Sequence, residues 1–356
     1  MKFLLDSDID EIVERIDSKN ELQGKTILMT GARGFLGRYF VHVIKKVNSN
    51  FERPVKFIGI DNQITSGVLG SDISEDSNIT LIEHDIINNL KIKEDIDYVI
   101  HAAGIASPHY YREFPLETLD VAINGTRHML ELSKEKNAKF TFFSSSEVYG
   151  DPDKENIPTS EKYRGNVSTL GPRSCYDEGK RVGETLCHIY QTNFGVNTNI
   201  IRPFNFYGPG MQEKDFRVLP NFGSRIKAGL PLKVYGHGNQ TRTFCYITDA
   251  IVGLFKVIID GKSGESYNIG NPDPEISMIE LVKKIKRILE NDIQYEIIDY
   301  PDSYPSDEPN RRCPNIQKAI QEINYIPRVN IDEGLRRFFQ WTNENYEGLQ
   351  WMPKRS

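Results

Sequence analysis

The sequence predicts an α/β protein built on a doubly wound parallel sheet, with a smaller lobe interleaved into its C-terminal half. Three observations carry that expectation. Short apolar runs at 25–30, 55–60, 79–82, 98–102, 140–143 and 197–201 alternate with helical segments at 38–46, 117–137 and 174–193. Such alternation marks parallel strands joined by crossover helices. The first run passes directly into Gly31-Ala-Arg-Gly34-Phe-Leu-Gly37 and then into a helical pattern, which gives the glycines a strand–turn–helix setting. The polar residues that stand out fall where apolar runs stop, and ligands of open α/β sheets lie at those carboxyl ends.

Taken in order, residues 4–17 place Leu5, Ile9, Ile12, Val13 and Ile16 at helical spacing among acids, an amphipathic helix expected to pack on its own body. After the polar link 20–24 comes the first strand and its glycine turn. Gly31 permits the tight turn, Gly34 lets the backbone approach a pyrophosphate, and Gly37 allows close helix–strand packing, with the helix N-terminus facing the anion. The second strand ends at Asp61, a carboxylate suited to a ribose diol and repelling a 2′-phosphate. NAD is therefore expected over NADP, although Arg33 and Arg38 could receive such a phosphate. His84-Asp85 and His101-Ala-Ala-Gly104 follow two further strands and would border the adenine and ribose, His101 itself being structural.

Ser144-Ser-Ser-Glu-Val-Tyr-Gly150 and Tyr176-Asp-Glu-Gly-Lys180 carry the chemistry. Lys180 lies on the same helical face as Tyr176, and a neighbouring ammonium draws a phenol pKa down from about 10, which would make Tyr176 a base for a substrate alcohol. Beyond residue 201 the pattern loosens. Residues 202–209 form a turn-rich loop, 217–231 a helix with basic residues, 236–242 a turn before a strand, and 301–314 a loop rich in Pro, Asp and Arg.

Composition bounds the partners. The 356 residues, 38% hydrophobic and 26% charged, suffice for one large domain with a lobe or for two domains. A net charge of -6 argues against nucleic acid or an anionic membrane as the main partner and leaves room for a small anionic ligand. Cys175, Cys187, Cys245 and Cys313 show neither metal-ligand spacing nor a disulfide framework, so no metal site and a reducing compartment are expected. The N-terminal stretch turns acidic at Asp6, too early for a signal-peptide core, and no apolar run has the length of a membrane span. A cytoplasmic protein is the expectation.

The segments Thr30–Gly37, Ser144–Gly150, Tyr176–Lys180 and Arg202–Pro209 together resemble the extended short-chain dehydrogenase/reductase superfamily of NAD-dependent nucleotide-sugar epimerases, dehydratases and decarboxylases. Within it the chain is most similar to the UDP-glucuronate decarboxylases, also called UDP-xylose synthases. The stretches Ala106-Ser-Pro108, 171–181, 234–244, 268–272 and Arg311-Arg-Cys-Pro-Asn-Ile316 carry that likeness, which spans about residues 24–340. Ser146-Glu147 is the pair the decarboxylases show where the 4,6-dehydratases have Asp-Glu.

The resemblance implies a Rossmann-type dinucleotide domain over 23–203 with 234–262, a nucleotide-sugar lobe over 204–233 and 263–356, and an N-terminal extension over 1–22. It implies NAD contacts from Gly31, Arg33, Gly34, Phe35, Leu36, Gly37, Asp61, Asn62, Asp85, Ile86, Ala102, Ala103, Gly104, Tyr176, Lys180 and Pro203. Catalysis would fall to Ser145, Glu147, Tyr176, Lys180 and Arg312. The UDP-sugar would meet Ser107, Pro108, Tyr111, Glu147, Asn205, Arg217, Tyr235, Arg242 and Arg312, with Arg217 and Arg242 on the diphosphate and nucleotide. A homodimer through the helix bearing Tyr176 and its neighbour is implied too. Departures occur at Ser145 (usually Thr), Ala122 (Asn), Gly210 (Arg), 313–315 (Lys or Arg, then Pro-Asp) and Arg33 (a small residue). Alternatives are a related 4-epimerase, 4,6-dehydratase or 4-dehydrogenase acting on a UDP, GDP, CDP or dTDP sugar. More remote is a non-catalytic NAD-binding protein, which would not need the intact Tyr-Lys pair.

Overall fold

The computed structural model describes residues 3–66, 73, 76–215, 217–299 and 309–348. Helix α1 (Asp6–Arg15) precedes β1 (Thr26–Thr30), α2 (Phe35–Asn48), β2 (Lys56–Asp61), β3 (Ile79–Glu83) and β4 (Tyr98–His101). A helical stretch follows: α3 (Pro108–Glu113), α4 (Pro115–Asp120), a π-helical turn (Val121–Gly125) and α5 (Thr126–Lys136). Then come β5 (Lys139–Phe143), α6 (Ser174–Phe194), β6 (Thr198–Pro203) and β7 (Phe206–Tyr207). The last part holds α7 (Val218–Lys227), β8 (Leu232–Tyr235), β9 (Thr241–Arg242), β10 (Cys245–Tyr246), α8 (Ile247–Asp260), β11 (Glu265–Ile269) and β12 (Ile276–Ser277). It ends with α9 (Met278–Leu289), β13 (Tyr295–Ile298), β14 (Arg311–Arg312), α10 (Gln317–Ile323) and α11 (Ile331–Asn345).

Seven strands form one parallel sheet in the order β11-β6-β5-β4-β1-β2-β3. Strands buried on both faces read as apolar runs, and Ile27, Leu28 and Met29 of β1 are fully buried. The order reverses between β1 and β4, and a crevice opens there beyond the carboxyl ends. In that register Thr30 lies beside both Ile60 and His101, so the loops leaving β1 and β4 meet. Helices cover both faces, and α2 is locked to α8 by the stack of Phe40 on Phe255, with ring centroids 4.5 Å apart.

The domain division differs from the sequence expectation at β11. Placed beyond residue 263 in the lobe, it is an edge strand of the large sheet beside β6. Glu-Ser-Tyr-Asn-Ile is too polar to read as a sheet strand, but its polar groups find partners. Asn268 Nδ2 donates to Thr159 O and Asn315 O, and its Oδ1 accepts from Tyr149 Oη at 2.7 Å. Conversely β8, assigned to the dinucleotide domain from residue 234, pairs with β13 in a separate two-stranded sheet. Of the loop expected at 301–314, residues 301–308 lie outside the described residues, while Arg311 and Arg312 form β14 alongside β9.

Helix α1 is built into the body. Ile9, Ile12 and Ile16 are buried, Arg15 donates to Asp249 Oδ1 at 2.6 Å, and Asp8 accepts from Tyr246 Oη at 2.7 Å and Arg337 at 3.1 Å. No helix among the described residues is long and apolar enough to cross a membrane.

Candidate active site

A cavity of about 680 Å³ runs along the carboxyl ends of the sheet from the glycine turn to Arg312, within the range of ligand clefts. Every residue the sequence nominates for cofactor, substrate or catalysis lines it except Arg33.

At the β1 end, Gly31 adopts φ +74°, and a Cβ there would lie 2.9 Å from Ala103 N. At Gly37 a Cβ would come within 2.4 Å of Gly31 O, so only glycine lets α2 seat this closely against the turn. Gly34 caps α2 without a side-chain bond, and no acid sits in the first turn. The free amide ends of that 14-residue helix therefore present positive potential to the cleft. Asp61 is fixed by backbone N–H groups, from Arg33 to Oδ2 at 2.9 Å and from Gln63 to Oδ1 at 2.8 Å. This cradle fits a dinucleotide, with a pyrophosphate at α2 and a ribose at Asp61. The two arginines that could have received a 2′-phosphate do not line the cavity. Arg38 is buried, lies 3.9 Å from the Phe3 ring centroid and donates its Nε to Arg33 O. His101 is sealed below the crevice between Thr30 Oγ1 and Val121 O, and burial pushes its pKa down to about 3, so it stays neutral. Only Ala102, Ala103 and Gly104 of its segment reach the cavity.

The catalytic end is assembled by β5, the helical turn after it, α6 and β14. Ser145 Oγ accepts from Glu147 N at 3.2 Å, and the Ser145 hydroxyl acts to lower the Tyr176 pKa. The Tyr176 ring stacks on Tyr111, centroids 5.5 Å apart. Lys180 follows one helical turn on, its ammonium donating to Phe143 O at 2.7 Å, with Gly104 leaving it room. Burial lowers the Lys180 pKa to about 8. Burial also pushes the Tyr176 phenol up to about 12, the opposite of the direction expected from Lys180, because the ring is enclosed and Glu147 and Asp177 add negative charge nearby. Ser107 Oγ is buried at the cavity wall with no hydrogen-bond partner among the described residues.

Glu147 receives two guanidinium groups on one oxygen, from Arg312 at 2.7 Å and from Arg173. Behind it, Arg173 Nε lies 3.5 Å from Asp177 Oδ2. Asp177 is buried, and burial together with the Glu147 charge raises its pKa to about 7. Sequence reasoning missed Arg173 and Asp177. Their i,i+4 spacing across the start of α6 was the available signal. It also missed the support beneath: Glu184 accepts from Ser144 Oγ at 2.6 Å and binds Arg202 through both carboxylate oxygens, holding the end of β5 against α6.

The remaining basic residues are engaged locally. Arg242 donates to the carbonyls of Thr241, Pro309 and Asn310, which secures the approach to Arg312. Arg217 pairs with Asp215, and Asn205 Nδ2 donates to Thr243 O.

Comparison with known proteins agrees with this geometry. The model of the NAD dependent epimerase/dehydratase family matches residues 27–270. UDP-glucuronic acid decarboxylase 6 of Arabidopsis thaliana is 37% identical over 317 residues, covering 87% of this chain and 86% of that protein. UDP-glucuronic acid decarboxylase 1 of Xenopus tropicalis is 36% identical over 340 residues, covering 94% and 77%. The structure of UDP-glucuronic acid 4-epimerase from Bacillus cereus in complex with UDP-glucuronic acid and NAD superposes with a TM-score of 0.75 at 28% identity, over 90% of this chain and 100% of that one. A glycine cradle without an acid, Asp61 at the end of β2 and a Tyr-Lys pair at the same crevice thus converge with sequence kinship on one statement: the chain belongs to the NAD dependent epimerase/dehydratase family, and its cofactor is NAD.

Proposed function

We propose that the protein decarboxylates UDP-glucuronate to UDP-xylose through a 4-keto sugar. The observation that carries this reading is Glu147 held by Arg173 and Arg312 on the cavity wall shared with Ser145 and Tyr176. Two guanidinium groups there provide for a second carboxylate, which a neutral sugar would not need. The kinship to UDP-glucuronic acid decarboxylases supports it.

In this reading Tyr176, beside Ser145, takes the 4-hydroxyl proton. When bound, NAD would supply a hydride acceptor and donor for carbon 4, so the cycle would be redox-neutral. The 4-ketone is β to the carboxylate on carbon 5; carbon dioxide leaves and the electron pair passes into an enolate, which the Tyr176 and Ser145 hydroxyls stabilise. Glu147 and Arg312 hold the carboxylate and relay the proton that carbon 5 then takes up. NAD is held by the glycine turn, Asp61, Asn62, Asp85, Ile86, the 102–104 segment, Lys180 and Pro203. Ser107, Pro108, Tyr111, Asn205, Tyr235, Arg217 and Arg242 line the sugar-nucleotide half. A homodimer across α4 and α6 belongs to this reading, supported by exposed Leu116 and Ile189 and checked by light scattering. Four free cysteines fit a cytoplasmic location, checked by cell fractionation.

The test is incubation with UDP-glucuronate and NAD, followed by proton NMR and absorbance. A UDP-pentose without lasting NADH is expected. A UDP-hexuronate epimer, a stable keto sugar, or turnover of neutral nucleotide sugars alone would replace the decarboxylase with one of its relatives.

A further inference from the structure

The catalytic end contains four charged side chains in a row: Asp177, Arg173, Glu147 and Arg312. All four are largely shielded, with side-chain exposures between 5% and 12%. Two carboxylates and two guanidinium groups balance. A carboxylated sugar entering beside Glu147 adds a further negative charge to a row whose four members already balance among themselves, and a buried charge left uncompensated is strongly unfavourable. A proton from solvent restores the balance if one carboxylate can accept it.

The geometry selects which one. Glu147 takes both arginine bonds on Oε2, so protonating it would forfeit two charge-assisted contacts. Asp177 has one long contact, 3.5 Å to Arg173 Nε, and its Oδ1 is buried with no hydrogen-bond partner among the described residues. An ionised carboxylate oxygen so placed is poorly served, whereas a neutral acid is tolerated. The titratable and charged groups that act on Asp177 include Glu147 from the turn after β5, Arg312 from β14, Arg173 at the N-cap of α6, and Cys175 and Tyr176 from α6. Their balance already leaves Asp177 hard to ionise. Neutral Asp177 also removes one of the charges that oppose ionisation of Tyr176.

We propose that Asp177 is a charge-compensating positioning residue, which takes up a proton from solvent when a carboxylated nucleotide sugar binds and so makes affinity for such sugars, but not neutral ones, dependent on pH. The inference rests on the reading that the cavity receives a sugar carboxylate beside Glu147. It assigns Asp177 no contact with substrate, only an effect transmitted through Arg173.

The experiment is calorimetric titration of the NAD-loaded protein with UDP-4-deoxy-4-fluoro-glucuronate, which keeps the carboxylate but lacks the 4-hydroxyl, and with the matching fluoro-glucose. Two buffers of different ionisation heat, at about pH 8, give the proton count. On the order of one proton taken up with the glucuronate and none with the glucose is expected, with glucuronate affinity falling up to about tenfold per pH unit on the alkaline side. Asp177→Asn should abolish the uptake and flatten the pH dependence. Unchanged uptake in Asp177→Asn, or none in the parent protein despite tight glucuronate binding, overturns the inference and leaves the decarboxylase reading standing. Failure of the glucuronate to bind overturns both. Should Asp177→Asn not fold, carbon-13 NMR of aspartate-labelled parent protein decides: one carboxyl must move to its protonated position with the glucuronate and stay in place with the glucose.

Discussion

Tyr176 is a weaker acid in the folded chain than in water, since its ring is enclosed between Tyr111 and the end of β5 and two carboxylates stand near. If Tyr176 is the proton acceptor, as proposed, its ionisation must be promoted by the assembled site, with the Ser145 hydroxyl lowering its pKa. Replacing Tyr176 by Phe retains the stack on Tyr111 and removes the proton acceptor. Steady-state kinetics should show kcat lower by about 10²- to 10⁴-fold with KM changed far less. A parallel collapse of substrate binding would assign Tyr176 to binding. Glu147 has the opposite character. Taking away its carboxylate leaves two shielded guanidinium groups without their shared partner, a loss of roughly 3–5 kcal/mol for a buried pair. Glu147→Ala should therefore lower the thermal midpoint as well as turnover, whereas Tyr176→Phe should leave the midpoint near its parent value; differential scanning calorimetry of both variants separates the two roles.

At the scale of elements, the glycine turn makes the sharpest demand. A methyl group at residue 37 would stand 2.4 Å from a backbone oxygen that has no freedom to move aside, so α2 must retreat from the turn. Gly37→Ala should weaken NAD binding by at least about tenfold, about 1.4 kcal/mol, measured by fluorescence titration; unaltered affinity would show that the turn relaxes. The same element explains what was legible in the sequence. Strand, glycine turn and helix follow from local rules, as do Asp61 at a strand end and the Tyr176–Lys180 spacing. Residues 265–269 were not legible as a sheet strand, since what makes Asn268 acceptable inside is a set of partners at Thr159, Asn315 and Tyr149, far away in sequence. Arg173 and Asp177 were readable as a helical pair but not as part of the site, because their meaning comes from Glu147 and Arg312, contributed by two other elements. The Tyr176 shift runs against the spacing for a related reason: spacing reveals a neighbouring ammonium and conceals enclosure.

For the whole molecule, α1 acts as a tie between α2, α8 and α11. Its Asp8 is fully buried against Tyr246 and Arg337, and burial raises its pKa to about 6. A carboxyl that binds its proton more tightly when folded stabilises the protein most below the unfolded value near 4, and that contribution drains away as pH rises towards 6. The span corresponds to about 3 kcal/mol at most. Urea unfolding of the Asp8→Asn variant between those limits should show a flatter stability profile than the parent; an identical slope would place the pH sensitivity elsewhere. The large sheet closes at residue 269, and Tyr176 and Lys180 are in hand well before it, yet Arg312 arrives 165 residues after the carboxylate it binds, on a strand secured by β9 and Arg242. In sequence order, then, every residue of the dinucleotide cradle precedes the last member of the acid–arginine cluster. In the proposed reading, placing Arg312 so late means that the carboxylate-handling half of the site is assembled after the cofactor half.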